Sequence, residues 1–346
     1  MSMRPILSAS SLSIGFGKTR RMERNVLHSG LSFDLFAGEL TCLLGFNGAG
    51  KSTLIRTLSA LQPPVKGDVW LDGKILSNYS AVQLSTLIGL VLTDKTSIGG
   101  LTVRELVEIG RYPYTGFFGR LSTRDHLVVE QAMSDVAIQH KADSYISQLS
   151  DGERQRALIA KVLAQECPVI VLDEPTAFLD VVSRIEVMYM LHGLARKHNK
   201  AILLSTHDID LALQQADKLW LLSFERGLKI GVTEDLLLNG HIGAYLNSPD
   251  IPFNKLTGSF SPQKKENHGA VYVEAGDQLL VWTTNWLHRN GLSVTKNLSE
   301  ALFQLYVYSA SHIECRNNGN CTVFRSFEEL SQQVHEKSQS SVNTIS

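Results

Sequence analysis

The chain has 346 residues, 43% hydrophobic and 19% charged, with a formal net charge of -1, a length that predicts two domains and a balance that excludes a polyanion-binding surface and so a nucleic-acid partner. Its four cysteines are too few for a disulfide framework. Residues Met1–Ser10 lack the apolar core of a signal peptide, and no apolar run approaches the roughly 20 residues that span a bilayer, so the chain is expected in the cytosol or peripheral on a membrane's cytosolic side.

In chain order, Leu12–Phe16, Leu31–Leu35 and Glu39–Leu44 read as strands, the third ending at a glycine-rich turn. Thr53–Leu61 reads as a helix, and Asp68–Leu71 as a strand entering the turn Asp72-Gly73. Leu101–Tyr114 and Thr123–Val136 have helical apolar spacing. Val169–Leu172 and Ala201–Leu204 are short all-apolar runs, as expected of strands buried on both faces. This alternation predicts an α/β domain with a mostly parallel core over residues 1–247. Pro249, Pro252, Gly258, Pro262 and the polar cluster Lys264–Asn267 then mark 248–268 as a linker. Ala270–Glu274 and Ser293–Lys296 read as strands around a helix, Gln278–Asn290, with Trp282, Trp286 and Leu287 on one face as core. His312–Cys315 and Cys321–Arg325 flank a hairpin turn, and a last helix begins at Ser326. Residues 269–346 are thus expected to form a small α+β domain with a polar, frayed tail. Cys315 and Cys321 are open to two readings, a metal or redox pair or cross-strand core and edge residues; no second pair of ligands lies nearby.

Three stretches carry chemistry. Gly45-Phe46-Asn47-Gly48-Ala49-Gly50-Lys51-Ser52, followed by Thr53, fits the phosphate-loop pattern and sits between an apolar strand and a helix. Glycines let backbone amides approach phosphate oxygens closely, and the helix adds its positive end. Lys51 supplies a charge to the β- and γ-phosphates, and Ser52 a hydroxyl to Mg²⁺. In Val169–Glu174 an apolar strand carries Asp173 to its C-terminal end, where it can hold Mg²⁺ through water; Glu174 can polarise a water against the γ-phosphate. Leu149-Ser150-Asp151-Gly152-Glu153-Arg154-Gln155 opens a helix with a capping box of Ser150 and Glu153, and an N-terminus of that kind suits an anion. From spacing alone it is simply a capped helix.

That last stretch resembles the signature of ABC ATPases, in the variant with Asp151 and Glu153 seen in iron-complex transport ATPases. It stands shortly before the Asp173-Glu174 strand, as the family requires. Phe16 matches the aromatic residue that stacks on adenine. Ala177-Phe178-Leu179-Asp180 looks like the D-loop, and Ser205-Thr206-His207-Asp208 like the switch histidine after its strand, with His207 contacting the γ-phosphate and holding Glu174. Leu101–Val107 with Gly110-Arg111-Tyr112-Pro113-Tyr114 is similar to the ATPases of siderophore, haem and cobalamin importers. The resemblance covers about residues 7–246 and implies a RecA-like core with antiparallel β and helical subdomains, the latter at about 86–146. It also implies ATP and Mg²⁺ as cofactors, with Lys51, Glu174 and His207 catalytic. A head-to-tail dimer would place Ser150 and Gly152 of one copy against the phosphate loop of the other. Two transmembrane permease subunits and, through them, a substrate-binding protein would complete the assembly at the cytoplasmic face of the inner membrane. A soluble ABC ATPase and an ATP-binding regulatory switch are the competing functions.

One position departs from the family. The glutamine expected before the helical subdomain is replaced by Thr93, inside Val91-Leu92-Thr93-Asp94-Lys95. Either the Thr93 hydroxyl or the Asp94 carboxylate is expected to complete the Mg²⁺ shell. If so, Thr93→Ala or Asp94→Ala lowers ATP turnover and raises the Mg²⁺ concentration needed for half-maximal rate; unchanged turnover and Mg²⁺ titration in both variants would sink the idea.

Overall fold

The computed structural model describes residues 4–16, 25–92, 100–116, 118–247, 251–255, 258–260, 269–317 and 319–333. Thr93 and Asp94 lie outside the described residues. The chain divides into two compact units, Met1–Ser261 and Pro262–Ser346.

The first unit opens with β1 (Leu7–Phe16), β2 (Asn25–Leu35), β3 (Leu40–Leu44), α1 (Lys51–Leu58), β4 (Lys66–Leu71) and β5 (Lys74–Ile75). Strands β2-β1-β4-β5 make an antiparallel sheet. β1 begins five residues before the strand read from the sequence. Its register against β2 slips between Ala9 and Leu12, where Ser11 takes a φ of 51°. This bulge breaks the alternation that marks a strand in sequence.

After α2 (Ala81–Leu87) come β6 (Ile88–Val91), α3 (Val103–Ile109), α4 (Thr123–Asp135) and α5 (Asp151–Ala164). The unit continues through β7 (Val169–Asp173), α6 (Val181–Lys197), β8 (Ala201–Ser205), α7 (Ile209–Gln215), β9 (Lys218–Ser223) and β10 (Gly227–Val232). The second sheet has the order β10-β9-β3-β8-β7-β6, parallel except for the β9–β10 hairpin. All residues of β3, β7 and β8 are buried, which is why they read as unbroken apolar runs. One face of this sheet packs on the antiparallel sheet, with the fully buried Trp220 ring 4.7 Å from Phe33. The other packs on α3 to α6. β6 falls within residues 86–146, where the sequence reading expects a helical subdomain, yet it is the edge strand of the parallel sheet. A four-residue strand has no period to betray it, and Gly89 lets α5 pack against it: a Cβ there would lie 2.2 Å from Val162 Cγ1.

The end of the unit is α8 (Thr233–Leu238), α9 (His241–Leu246) and a short hairpin of β11 (Phe253–Asn254) and β12 (Ser259–Phe260). The hairpin lies in the stretch read as a linker. Phe253 and Phe260, with ring centroids 5.0 Å apart, pack against the first unit's core; prolines and polar residues around them mask these two aromatics in sequence.

The second unit contains β13 (Ala270–Ala275), α10 (Asp277–Arg289), β14 (Ser293–Thr295), β15 (Ala301–Ser309), β16 (His312–Asn317) and β17 (Asn320–Phe324), followed by a helix at 327–333. Its sheet order is β14-β13-β15-β16-β17. Trp286 and Leu287 are buried in its core, but Trp282 is 61% exposed, because the core-facing stripe of α10 runs through Thr283 instead. β16 and β17 pair Arg316 with Cys321 and Cys315 with Thr322. Side chains alternate faces along a strand, so the two cysteines project from opposite faces of the hairpin. They can neither bond one another nor share an ion.

Arg111 is the polar joint of the helical layer. It is 2% exposed and reaches α4, the end of α5 and the turn beyond it. Its Nε donates to Asp125 Oδ1 at 2.8 Å, and its Nη1 donates to the Ala164 carbonyl at 2.6 Å and to Glu166 Oε2 at 2.7 Å. The guanidinium also lies 4.1 Å from the Tyr114 ring centroid. Asp125 in turn closes the capping box of α4 with Ser122. The Ser122 hydroxyl and amide, then Arg111, hold the Asp125 carboxyl down to about 2 from an ordinary value near 3.8. A depressed carboxyl contributes stability that is complete above its unfolded value and lost as pH falls through the folded one. Arg111→Ala is expected to cost about 3 kcal/mol in urea unfolding, since it strands a buried carboxylate. Between about pH 4 and pH 2 the unaltered chain should lose more stability than Asp125→Asn does; parallel pH profiles would refute this.

Candidate nucleotide site

The loop Gly45–Gly50 connects β3, in the middle of the parallel sheet, to α1. A Cβ on Gly45 would sit 2.5 Å from the Leu222 carbonyl oxygen of neighbouring β9, so only glycine lets the chain leave the sheet there. Gly48 and Gly50 adopt φ of 82° and 95°, the left-handed region open to glycine. Gly50 caps α1 with backbone alone, and the first turn of α1 has no acidic residue, which leaves amides and the positive helix end for an anion. Phe46, Asn47 and Gly48 are exposed, Ala49 is buried, and Ser52 and Thr53 stand in the first turn with Ser52 exposed. Lys51 is buried, and its ammonium donates to the Gly45 and Phe46 carbonyls at 2.8 and 3.3 Å. Burial pulls its pKa down, while Glu174 and then Asp173 pull it back up. The lysine charge is therefore held by the loop's own carbonyls and by the two acids at the end of β7.

Two residues that the motif reading passed over hold this arrangement. Buried His28, on β2, makes a 2.7 Å hydrogen bond through Nε2 with the Ala49 carbonyl; the nitrogen donates. Ser205, at the end of β8, donates its hydroxyl to Asp173 Oδ1 at 2.6 Å and accepts from the Glu174 amide at 2.9 Å. One hydroxyl thus orients the carboxylate at the end of β7 and fixes the backbone of the next residue. Glu174 itself sits at a φ of 48°, uncommon for a residue with a side chain and typical of functional turns. His207 Nδ1 lies 3.8 Å from Glu174 Oε2. The sequence signal for Ser205 was its place just before the switch histidine; for His28 there was none, since a lone histidine in a strand has no pattern.

Ser150 lies in a different part of the unit. Its hydroxyl accepts from the Glu153 amide, and the Glu153 carboxylate accepts from the Ser150 amide at 2.9 Å and pairs with Lys141 at 3.2 Å. These bonds, the Ser150 amide's first, lower the Glu153 pKa. All of them stay within the helical layer. Gly152 faces α6: a Cβ there would meet Ser183 Oγ at 3.0 Å. Asp180 caps α6 by accepting from the Ser183 amide at 2.9 Å and its hydroxyl at 2.8 Å. Phe16 ends β1 and is 52% exposed. The structure therefore brings together Lys51, Asp173, Glu174 and His207, and joins Ser150, Gly152, Glu153 and Asp180 into a second cluster.

Residues 28–177 match the ABC transporter family, and residues 268–335 match the iron ABC transporter C-terminal domain. An ABC transporter ATP-binding protein of Methanocaldococcus jannaschii is 35% identical over 74% of this chain and 86% of its own length. The ferric enterobactin transport ATP-binding protein of Escherichia coli is 39% identical over 62% of this chain and 76% of its own. Among solved structures, a metal-chelate type ABC transporter in an inward-facing conformation superposes with a TM-score of 0.59 at 30% identity, covering 70% of this chain and 89% of that one. The chain belongs to the ABC transporter ATP-binding proteins and is an ABC-type ATPase. Among the described residues no helix is long and apolar enough to cross a membrane.

Ser205→Ala removes a hydroxyl that bonds both the Asp173 carboxylate and the Glu174 amide. Turnover is expected to fall about 10- to 100-fold, with ATP affinity nearly unchanged, because the loop and Lys51 remain. Steady-state ATPase rates with a nucleotide-binding titration check this; an unaltered rate would show that the bridge is only structural.

Proposed function

We propose that this chain powers an importer for an iron complex of the siderophore type. The observation that carries this is the pairing, on one chain, of an ABC ATPase unit with a segment that matches the iron ABC transporter C-terminal domain. Relatives named for ferric enterobactin transport and iron(3+)-hydroxamate import support the siderophore over haem or cobalamin. The chain would sit peripherally at the cytoplasmic face of the inner membrane, working with two permease subunits and, through them, a substrate-binding protein. A groove of about 630 Å³ between β6 and α3, with Val82, Ile109, Tyr112 and Pro113 on its walls, fits an apolar segment of such a permease.

ATP would lie with its β- and γ-phosphates over the amides of Gly45–Thr53 and Lys51, and its adenine against Phe16. The Ser52 hydroxyl and Asp173 carboxylate form a hard oxygen donor set that suits Mg²⁺, which would neutralise charge on the phosphates. Glu174 holds the attacking water in line with the γ-phosphate and polarises it, and His207 steadies Glu174 and the γ-phosphate. Ser150 and Gly152 have their own cluster within one chain, which supports a head-to-tail dimer in which each nucleotide touches both copies. A related cassette is described as dimeric, at 24% identity and a TM-score of 0.57 over 66% of this chain and 98% of that one.

Glu174→Gln is expected to keep ATP binding, lower turnover at least about 100-fold and accumulate an ATP-bound dimer visible by light scattering. In a host lacking the gene, uptake of iron-loaded siderophore should return with the unaltered chain and not with this variant. Normal iron uptake in the gene's absence would favour a soluble ABC ATPase instead.

A further inference from the structure

Phe16 ends a strand of the antiparallel sheet, the phosphate loop leaves a strand of the parallel one, and a single side chain ties the two regions together. β4 pairs with β1 only as far as Ser13, which faces Lys66, and the Val65 amide just before β4 donates to the Ser13 carbonyl at 2.8 Å. On that side of β1 the next carbonyl is that of Gly15, two residues on, where β4 no longer pairs. The Gln62 side chain takes the place of a strand there: its Nε2 donates to the Gly15 carbonyl at 3.2 Å. The same Nε2 donates to the Thr57 hydroxyl at 3.0 Å and lies 3.4 Å from the Thr53 carbonyl. Thr57 is buried and donates its own hydroxyl to the Thr53 carbonyl at 2.9 Å. Gln62 therefore ties the residue before Phe16 to α1, the helix whose first turn carries Lys51 and Ser52. On its other side the end of β1 is pressed against β2, where a Cβ on Gly15 would lie 2.0 Å from the Asn25 carbonyl oxygen. The register against β2 shifts on both sides of Ile14, so strand pairing alone does not fix where Phe16 points.

We propose that Gln62 is a positioning residue for nucleotide binding: it holds the adenine seat at Phe16 at a set separation from the phosphate loop, so that both ends of one nucleotide are met together. This deepens the reading above and rests on Phe16 as the adenine contact. The physical reason is preorganisation. A ligand gripped at two places binds best when those places already stand at its length; where one of them drifts, binding must also order it. The loop has a strut of its own. His28 faces Ile14, two residues before Phe16, and its Nε2 donates to the Ala49 carbonyl at 2.7 Å. The C=O and N–H of a trans peptide point opposite ways, so a donor on the Ala49 carbonyl turns the Gly50 amide away from His28. The two struts have separable tasks: His28 acts on the phosphate loop, Gln62 on the adenine seat.

The test is calorimetric titration of the full chain with ADP and with inorganic pyrophosphate, each with Mg²⁺. ADP carries the adenine, pyrophosphate lacks it, and neither offers a γ-phosphate to hydrolyse. Gln62→Met keeps the length of the side chain and removes the donor. It should weaken ADP about 10-fold, the worth of one hydrogen bond that orders a contact. Pyrophosphate should weaken less than about 2-fold, which also shows that the variant folds. KM for ATP should rise by a similar factor to the ADP loss, with kcat nearly unchanged. Phe16→Ala should show the same pattern, and adding Gln62→Met to it should cost ADP little more, because both act through one contact. His28→Phe should weaken ADP and pyrophosphate alike; sparing of pyrophosphate there overturns the separation of the two tasks. The role of Gln62 is overturned if Gln62→Met binds ADP as the unaltered chain does, loses pyrophosphate as much as ADP, or adds its loss in full to that of Phe16→Ala. In each of those cases a weakened ADP affinity in Phe16→Ala leaves the adenine reading standing. Phe16→Ala without effect on ADP overturns both.

Discussion

The hydroxyl of Ser205 joins the ends of the two strands on which the site depends. It donates to Asp173 and accepts from the amide of Glu174, so the carboxylate at the end of β7 and the turn that follows are set by the neighbouring β8. Both strands are wholly buried, and a side chain at their ends has little freedom to drift. From this joint the rest follows outward: Glu174 is held in its left-handed turn, His207 leaves β8 two residues later and comes within 3.8 Å of Glu174, and Lys51 at the start of α1 feels both acids. A buried polar network of this kind is firm only while each member is satisfied.

The same economy governs the phosphate loop. Its left-handed glycines and the close approach of Gly45 to Leu222 shape the backbone, and His28 ties Ala49 to the antiparallel sheet. The loop is thus braced from both layers. The helical layer has its own brace in Arg111, which ties the end of α3 to the start of α4 and the end of α5. Buried charge here is satisfied from several sides, the condition under which it is tolerated at all. Within the Gly110–Tyr114 stretch that sequence alone associates with importer ATPases, Arg111 therefore has a plain structural task.

The second unit is held by its own core, in which Trp286 is fixed by a 2.8 Å hydrogen bond from Nε1 to Ser331. The other face of its sheet carries Tyr272, Tyr306, Glu314 and Arg316, with Arg316 stacked 4.3 Å from the Tyr306 ring and paired to Glu314 at 2.8 Å. Charge on that face is neutralised locally. The cysteines contribute no joint chemistry, because the strand register puts them on opposite sides.

By itself the sequence determined the α/β class, the phosphate loop, the Asp173-Glu174 strand end and the capped Ser150 helix. Each is a local pattern in which residue type and spacing carry the physics: glycines where the backbone must turn, apolar runs where strands are buried twice, a serine and a glutamate three apart at a helix start. Tertiary structure alone decided what these patterns meet. The bridge from Ser205, the tie from His28, the joint at Arg111, the strand at Ile88–Val91 and the hairpin of Phe253 and Phe260 all involve residues far apart in the chain or too few to show a period. A hydrogen bond between the ends of two strands leaves no trace in the spacing of either.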